Sequence, residues 1–146
     1  MAFEHRYERH VQFADTDMAG IAHFSVFFRY AEEAEHAFLR SLGLSVHTRG
    51  DGFALGFPRV SARCEYRQPA RFEDVLETHI WVHRKGRTSI IYQFEIARGA
   101  DPIAKGELAV ICCRSYPDSR VEPVALPLPL AERLEEAPYP PLEFRR

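Results

Sequence analysis

Phe24, Phe27, Phe28, Ala31, Ala34, Phe38 and Leu42 recur at intervals of three and four residues, which lays a single apolar stripe along about five turns of helix. From residue 53 the hydrophobic period changes to two. Val60, Ala62, Cys64 and Tyr66 alternate with polar residues, so they belong on one face of a strand. This single switch of period is the strongest constraint on the fold. One helix with one face to bury, followed by a run of strands, leads to an α+β layer arrangement. Ser25 stands where a helix N-cap is expected and Gly43 where the helix should stop.

Three more strands follow, at 75–83, 88–97 and 103–114, separated by Lys85-Gly86-Arg87 and by Gly99-Ala100-Asp101-Pro102. Connections this short make the neighbours antiparallel. Residues 6–13 can add an edge strand, which gives about five strands in all. The last two long strands are apolar on both faces: Ile90, Tyr92, Phe94 and Ile96 are opposed by Ile91, and Leu108 and Val110 by Ala109 and Ile111. A single helix covers one face, so the sequence predicts that the other is buried by subunit association. Seven of the ten prolines lie at or after Pro117. That tail reads as extended chain wrapping the surface, with a short helix over 130–135.

On the helix face opposite the stripe, Arg29, Glu32, Glu33, His36 and Arg40 form a solvated row with weak four-residue pairs. Glu35 differs, because it borders the stripe between Ala31 and Phe38. A carboxylate there needs a partner, and structural pairing is the favoured reading.

Length and charge narrow the function classes. A chain of 146 residues has the size of one domain, 1–146, able to bury its own core. A formal net charge of -2 gives no reason to expect nucleic acid or an anionic membrane as partner. No apolar run approaches a membrane span and the N-terminus is charged from its fourth residue, so the cytoplasm is the expected compartment. Three cysteines, two of them adjacent, fit reduced packing residues better than disulfides.

The chemistry is concentrated in Asp15-Thr16-Asp17-Met18-Ala19-Gly20-Ile21-Ala22-His23-Phe24, between the first strand and the helix. Carboxylates, a glycine and a histidine converge on a helix N-terminus, where unpaired N–H groups and the positive dipole end favour negative charge. A carboxylate there can attack a carbonyl or activate water, and the amides can hold an oxyanion. Spacing alone is equally served by two aspartates that merely cap turns.

That string, running into a helix rich in Phe, Tyr, Ala and Glu, resembles the signature of the hotdog-fold thioesterases related to 4-hydroxybenzoyl-CoA thioesterase. The similarity continues through Tyr66-Arg67-Gln68-Pro69-Ala70-Arg71-Phe72-Glu73-Asp74 and Ala104-Lys105-Gly106, and covers most of residues 5–135. The resemblance implies a long helix wrapped by a curved antiparallel sheet, with homodimers or homotetramers that place active sites at the subunit interface. It implies hydrolysis of a small acyl-CoA, aromatic or short-chain, with Asp17 as nucleophile or general base and the N–H of Phe24 as oxyanion donor. Gly20 keeps the loop close to the thioester, Asp15 and Thr16 hold the loop, and His23 is a second catalytic candidate.

For the phosphates of CoA, the basic turn with Lys85, Arg87 and Ser89 is the expected contact, with Arg63, Arg67 and Arg71 as rivals. No cofactor is implied. No metal is expected either: His79 and His83 share a strand face but stand about 13 Å apart, and the cysteines lack ligand spacing. Two other functions compete. A hotdog acyl-CoA hydratase or dehydratase would pair Asp17 with His23, but the Asn-Pro of that subfamily is missing between them. A binding module without turnover would have no need of Asp17.

Overall fold

The computed structural model describes residues 1–146. In chain order the elements are β1 (Glu4–His10), a 3-10 turn (Phe13–Asp15), α1 (Val26–Ser41), β2 (Thr48–Arg49), β3 (Ala54–Gly56) and β4 (Arg59–Tyr66). They continue as β5 (Val75–Lys85), β6 (Ser89–Arg98), β7 (Asp101–Ile111), β8 (Cys113–Ser115), β9 (Val121–Pro123) and α2 (Leu128–Arg133). Five strands form an antiparallel sheet in the order β1-β5-β6-β7-β4, and four short ones form a second sheet, β2-β3-β8-β9.

The stripe on α1 packs against the concave face of the large sheet. Phe27, Tyr30, Ala31, Ala34 and Phe38 are buried against Leu76, Ile80, Ile90, Tyr92, Phe94 and Ile96. Each large side chain among them stabilises the fold by about 2 kcal/mol through area removed from water. The two alanines let the helix lie close, and Gly106 does the same within the sheet. A Cβ at Gly106 would stand 2.3 Å from the Phe94 ring and 2.2 Å from the Arg63 carbonyl, so only glycine lets Phe94 lie across β7. The helix ends as its sequence predicts. Gly43 takes φ +73, and Gly43 and Leu44 N–H groups donate to the Arg40 and Leu39 carbonyls, both at 2.9 Å, which is a Schellman stop.

Three expectations need correction. The helix begins at Val26, directly after the expected cap position, but Phe24 is 63% exposed rather than part of the buried stripe. Ser25 occupies the cap position, but its hydroxyl meets His23 instead of a helix N–H. On β4, Val60 and Ala62 are exposed, because β4 is the edge strand of the sheet, and a register shift between Arg59 and Ser61 also interrupts the pairing at Val60.

The outer face of the sheet carries a feature that no periodicity signals. It is crossed by the chain's own C-terminal segment, residues 137–145, which we call the strap. The Ala137 N–H donates to the Val82 carbonyl at 2.8 Å, the Tyr139 hydroxyl to Glu4 at 2.6 Å, and the Leu142 N–H to Gln93 at 3.0 Å. Further along, Lys105 donates to the Glu143 carbonyl, Arg63 to the Arg145 carbonyl, and the Arg145 N–H to Glu65. Trp81 and Gln93 are buried beneath it. Ile91, Ala109 and Ile111, the outer apolar positions for which the sequence predicts a second copy, remain half-buried within the chain.

Candidate active site

The loop before α1 is tied down from several sides. Asp15 is 2% exposed. Its carboxylate accepts from the Gln12 N–H at 2.9 Å, the Tyr30 hydroxyl at 2.9 Å and Arg9 at 3.3 Å. Burial, then Asp15 itself, pushes the Tyr30 hydroxyl far above its usual titration range, so it remains a donor. The Asp15 carbonyl accepts the His23 N–H at 2.8 Å. Between these anchors the chain makes a tight reversal: the Asp17 N–H donates to the Ile21 carbonyl at 2.9 Å and the Gly20 N–H to the Asp17 carbonyl at 3.0 Å. Gly20 sits at φ +80, a conformation that glycine adopts without strain. The Ala22 N–H then pins the loop to the Ala70 carbonyl at 2.7 Å. Asp15 and Gly20 thus shape the loop that carries Asp17.

Asp17 is half-buried. Its Oδ1 accepts the Ala19 N–H at 2.9 Å and lies 3.4 Å from that of Ile21, while Oδ2 makes no hydrogen bond within the chain. One oxygen is held and the other is free to act. Asp17, Phe24, Phe27, Tyr66 and Arg67 line a cavity of about 450 Å³, within the size range of small-molecule sites. The N–H of Phe24 has no acceptor in the chain. It lies just ahead of the α1 N-terminus, at the positive end of the helix. Tyr66 steadies that peptide by donating its hydroxyl to the Phe24 carbonyl at 2.8 Å. Burial pushes this hydroxyl up to about 12, so it too stays a donor. Asp17, with one carboxylate oxygen free, and Phe24, whose N–H is unpaired, thus line one cavity, and a carboxylate and an amide donor are the groups that acyl transfer uses.

The other expected residues fall elsewhere. His23 is exposed and does not line the cavity. Its Nδ1 accepts the Ser25 N–H at 3.3 Å and lies 2.7 Å from the Ser25 hydroxyl, and its ring packs on Phe24 at 4.5 Å between centroids. Lys85 stands at the far end of β5 from the Asp17 loop, roughly 33 Å along the strand. Its ammonium donates to the Ala131 and Leu134 carbonyls at 2.6 and 2.7 Å, where it caps α2. Arg87 and Ser89 follow on the same turn, so within one chain none of the three meets Asp17. Of the rival arginines, Arg67 lines the cavity with its guanidinium unpaired, whereas Arg63 is engaged by Glu65 and the strap.

Glu35 is paired, as its position predicts. It is 1% exposed and takes both guanidinium arms of Arg59, at 2.6 and 2.9 Å. Tyr66 and Tyr30 are the functional neighbours that sequence reasoning passed over. Tyr66 stood in the recognised motif and Tyr30 on the helix, but neither spacing reveals a hydroxyl aimed at a loop.

The family model described as the thioesterase superfamily matches residues 19–104, which includes Gly20, Phe24, the whole of α1 and the strands through β6. The chain belongs to the thioesterase superfamily. This thioesterase is 31% identical over 126 residues to a 1,4-dihydroxy-2-naphthoyl-CoA hydrolase of Synechocystis, covering 83% of the chain and 88% of the relative. A hypothetical protein from Aquifex aeolicus superposes with TM-score 0.77 at 28% identity, over 89% of this chain and 98% of that one. A gentisyl-coenzyme A thioesterase superposes with TM-score 0.71 at 25% identity, over 86% and 98%. The expected hotdog fold and enzyme class, an acyl-CoA thioesterase, both hold. No helix of the thioesterase is long and apolar enough to cross a membrane.

Proposed function

We propose that this thioesterase hydrolyses small aromatic acyl-CoA esters, with Asp17 as the reacting carboxylate and the Phe24 N–H as oxyanion donor. The observation that carries this reading is the meeting of the free Asp17 oxygen and the unpartnered Phe24 N–H in one cavity walled by Phe24, Phe27 and Tyr66. The Asp17 oxygen either attacks the thioester carbonyl or takes a proton from the water that does. The carbonyl oxygen gains negative charge and is held by the amide. The tetrahedral intermediate then expels the CoA thiolate, a good leaving group because thiols ionise near pH 8.5. Where Asp17 itself attacks, a water then cleaves the resulting mixed anhydride, releasing the acid and restoring the carboxylate. Aromatic walls suit a ring stacked edge to face, and two of the relatives are named for aromatic acyl-CoA substrates.

The hydratase reading needs His23 opposite Asp17. With its Nδ1 on Ser25 and its ring outside the cavity, His23 instead braces Phe24. Within one chain, phosphate contact passes from Lys85, Arg87 and Ser89 to Arg67, which lines the cavity. Assembly is part of the proposal: β4 bonds only to β7, its other edge is open, and Val60 and Tyr66 on it are 66% and 42% exposed. Pairing of two copies along β4 would close the cavity at the Tyr66 end.

A panel of acyl-CoAs assayed with a thiol reagent tests the substrate class. Benzoyl-type esters should be hydrolysed with higher kcat/KM than acetyl- or butyryl-CoA, each missing stacking contact being worth about 1 kcal/mol. Preference for the short aliphatic esters would refute the aromatic assignment. Formation of 3-hydroxyacyl-CoA from an enoyl-CoA without thiol release would refute hydrolysis.

A further inference from the structure

A cavity larger than the one at Asp17 lies next to it. It is a cleft of about 790 Å³ between the strap and the end of β4, lined by Glu65, Tyr66, Arg67, Lys105, Phe144 and Arg145 among others. Tyr66 and Arg67 belong to both cavities, so the cleft adjoins the Asp17 site where a thioester would leave it.

Its charge is unequal. Arg67, Lys105 and Arg145 line it, and Arg63 stands behind the Phe144 ring at 4.5 Å. Against these four cations stand two carboxylates, Glu65 and Glu143. Glu65 is already engaged by Arg63, Lys105 and the Arg145 N–H. The guanidinium groups of Arg67 and Arg145 make no ion pair or hydrogen bond within the chain. Two free guanidiniums beside an aromatic wall are the chemistry that recognises a nucleotide, since the planar fork fits phosphate oxygens and the ring offers a purine a flat surface.

We propose that this strap-lined cleft binds the phosphorylated nucleotide of the CoA thioester, with Arg67 and Arg145 on its phosphates. The inference rests on the acyl-CoA reading above, and gives the strap a part in substrate binding beyond covering the sheet. A thioester whose carbonyl lies at Asp17 runs its pantetheine arm past Tyr66 and Arg67, which leads the nucleotide to Phe144 and Arg145.

The test compares benzoyl-CoA with benzoyl-pantetheine, which lacks the nucleotide, in wild type, Arg145→Ala and a chain ending at Leu142. The preference for the CoA ester, as a ratio of kcat/KM, should fall about tenfold in both variants, the loss expected for one charge-assisted contact. Calorimetry with adenosine 3′,5′-bisphosphate should show binding to wild type that weakens by a similar factor in Arg145→Ala and falls steeply with salt. An unchanged ratio, or bisphosphate binding indifferent to Arg145→Ala, overturns the cleft while leaving hydrolysis intact. If wild type hydrolyses neither ester yet binds the bisphosphate through Arg145, the cleft stands and the hydrolase reading falls.

Discussion

Three carboxylates near the site, Asp15, Asp17 and Glu35, are separated in role by their partners. Asp15 and Glu35 are 2% and 1% exposed and each is met by cations or hydroxyls on both oxygens or nearly so. Asp17 is half-open, with one oxygen held by backbone N–H groups and the other free. The sequence pointed to Glu35 as a structural pair because a carboxylate on an apolar stripe must be compensated, and Arg59 supplies that compensation. Glu35→Ala should therefore act on stability and leave chemistry alone. It strands the Arg59 guanidinium, whose side chain is 28% exposed, so the cost belongs at the lower end for a broken buried pair, about 3 kcal/mol. Urea unfolding monitored by circular dichroism measures it. A variant as stable as wild type would mean that the pair contributes nothing net. The reacting role proposed for Asp17 comes from the motif, since spacing alone does not tell a reactive aspartate from a turn cap. His23 was misleading for the same reason: position in the string does not say which way the ring turns.

At the scale of elements, α1 and the long strands were legible because each keeps one period over ten residues or more. The cap at Ser25 marks the start of α1 correctly, but Phe24 reads as part of the buried stripe because it continues the apolar pattern while facing the cavity. An apolar residue needed by a site looks, in sequence, like one needed by the core. The small sheet was invisible: β2, β3, β8 and β9 are two or three residues long, too short to carry a period. β4 holds the consequence for assembly. Its open edge presents unpaired backbone groups and exposed Val60, an arrangement that soluble proteins normally cover or charge. If two copies pair there, Val60→Lys places like charges across the two-fold axis and should shift the protein from dimer to monomer in sedimentation velocity. A wild-type chain that sediments as a monomer would remove the β4 pairing from the account.

Across the whole molecule, what the sequence concealed was the path of the C-terminal segment. Its prolines signalled extended chain, but no pattern tells an extended segment which surface to follow. The polar groups that receive it, Glu4, Gln93, Lys105, Arg63 and Glu65, are scattered over four strands and become a track only when the sheet brings them into line. The strap covers Trp81 and Gln93 on the outer face of the sheet, and its end lines the cleft beside the Asp17 cavity. Loop, helix start, β4 and strap thus converge at Tyr66 and Arg67, with Asp17 at the reacting end.

The account depends most on that aspartate. Asp17→Asn keeps the shape of the side chain and an oxygen for the Ala19 N–H, and removes only the charge that can attack or take a proton. Steady-state hydrolysis of benzoyl-CoA by the folded variant should show kcat reduced by at least about a hundredfold, with KM changed little, the scale of losing a reacting general base or nucleophile. A kcat within about twofold of wild type, too small a change for the loss of a reacting group, would contradict the assignment and return Asp17 to a turn residue.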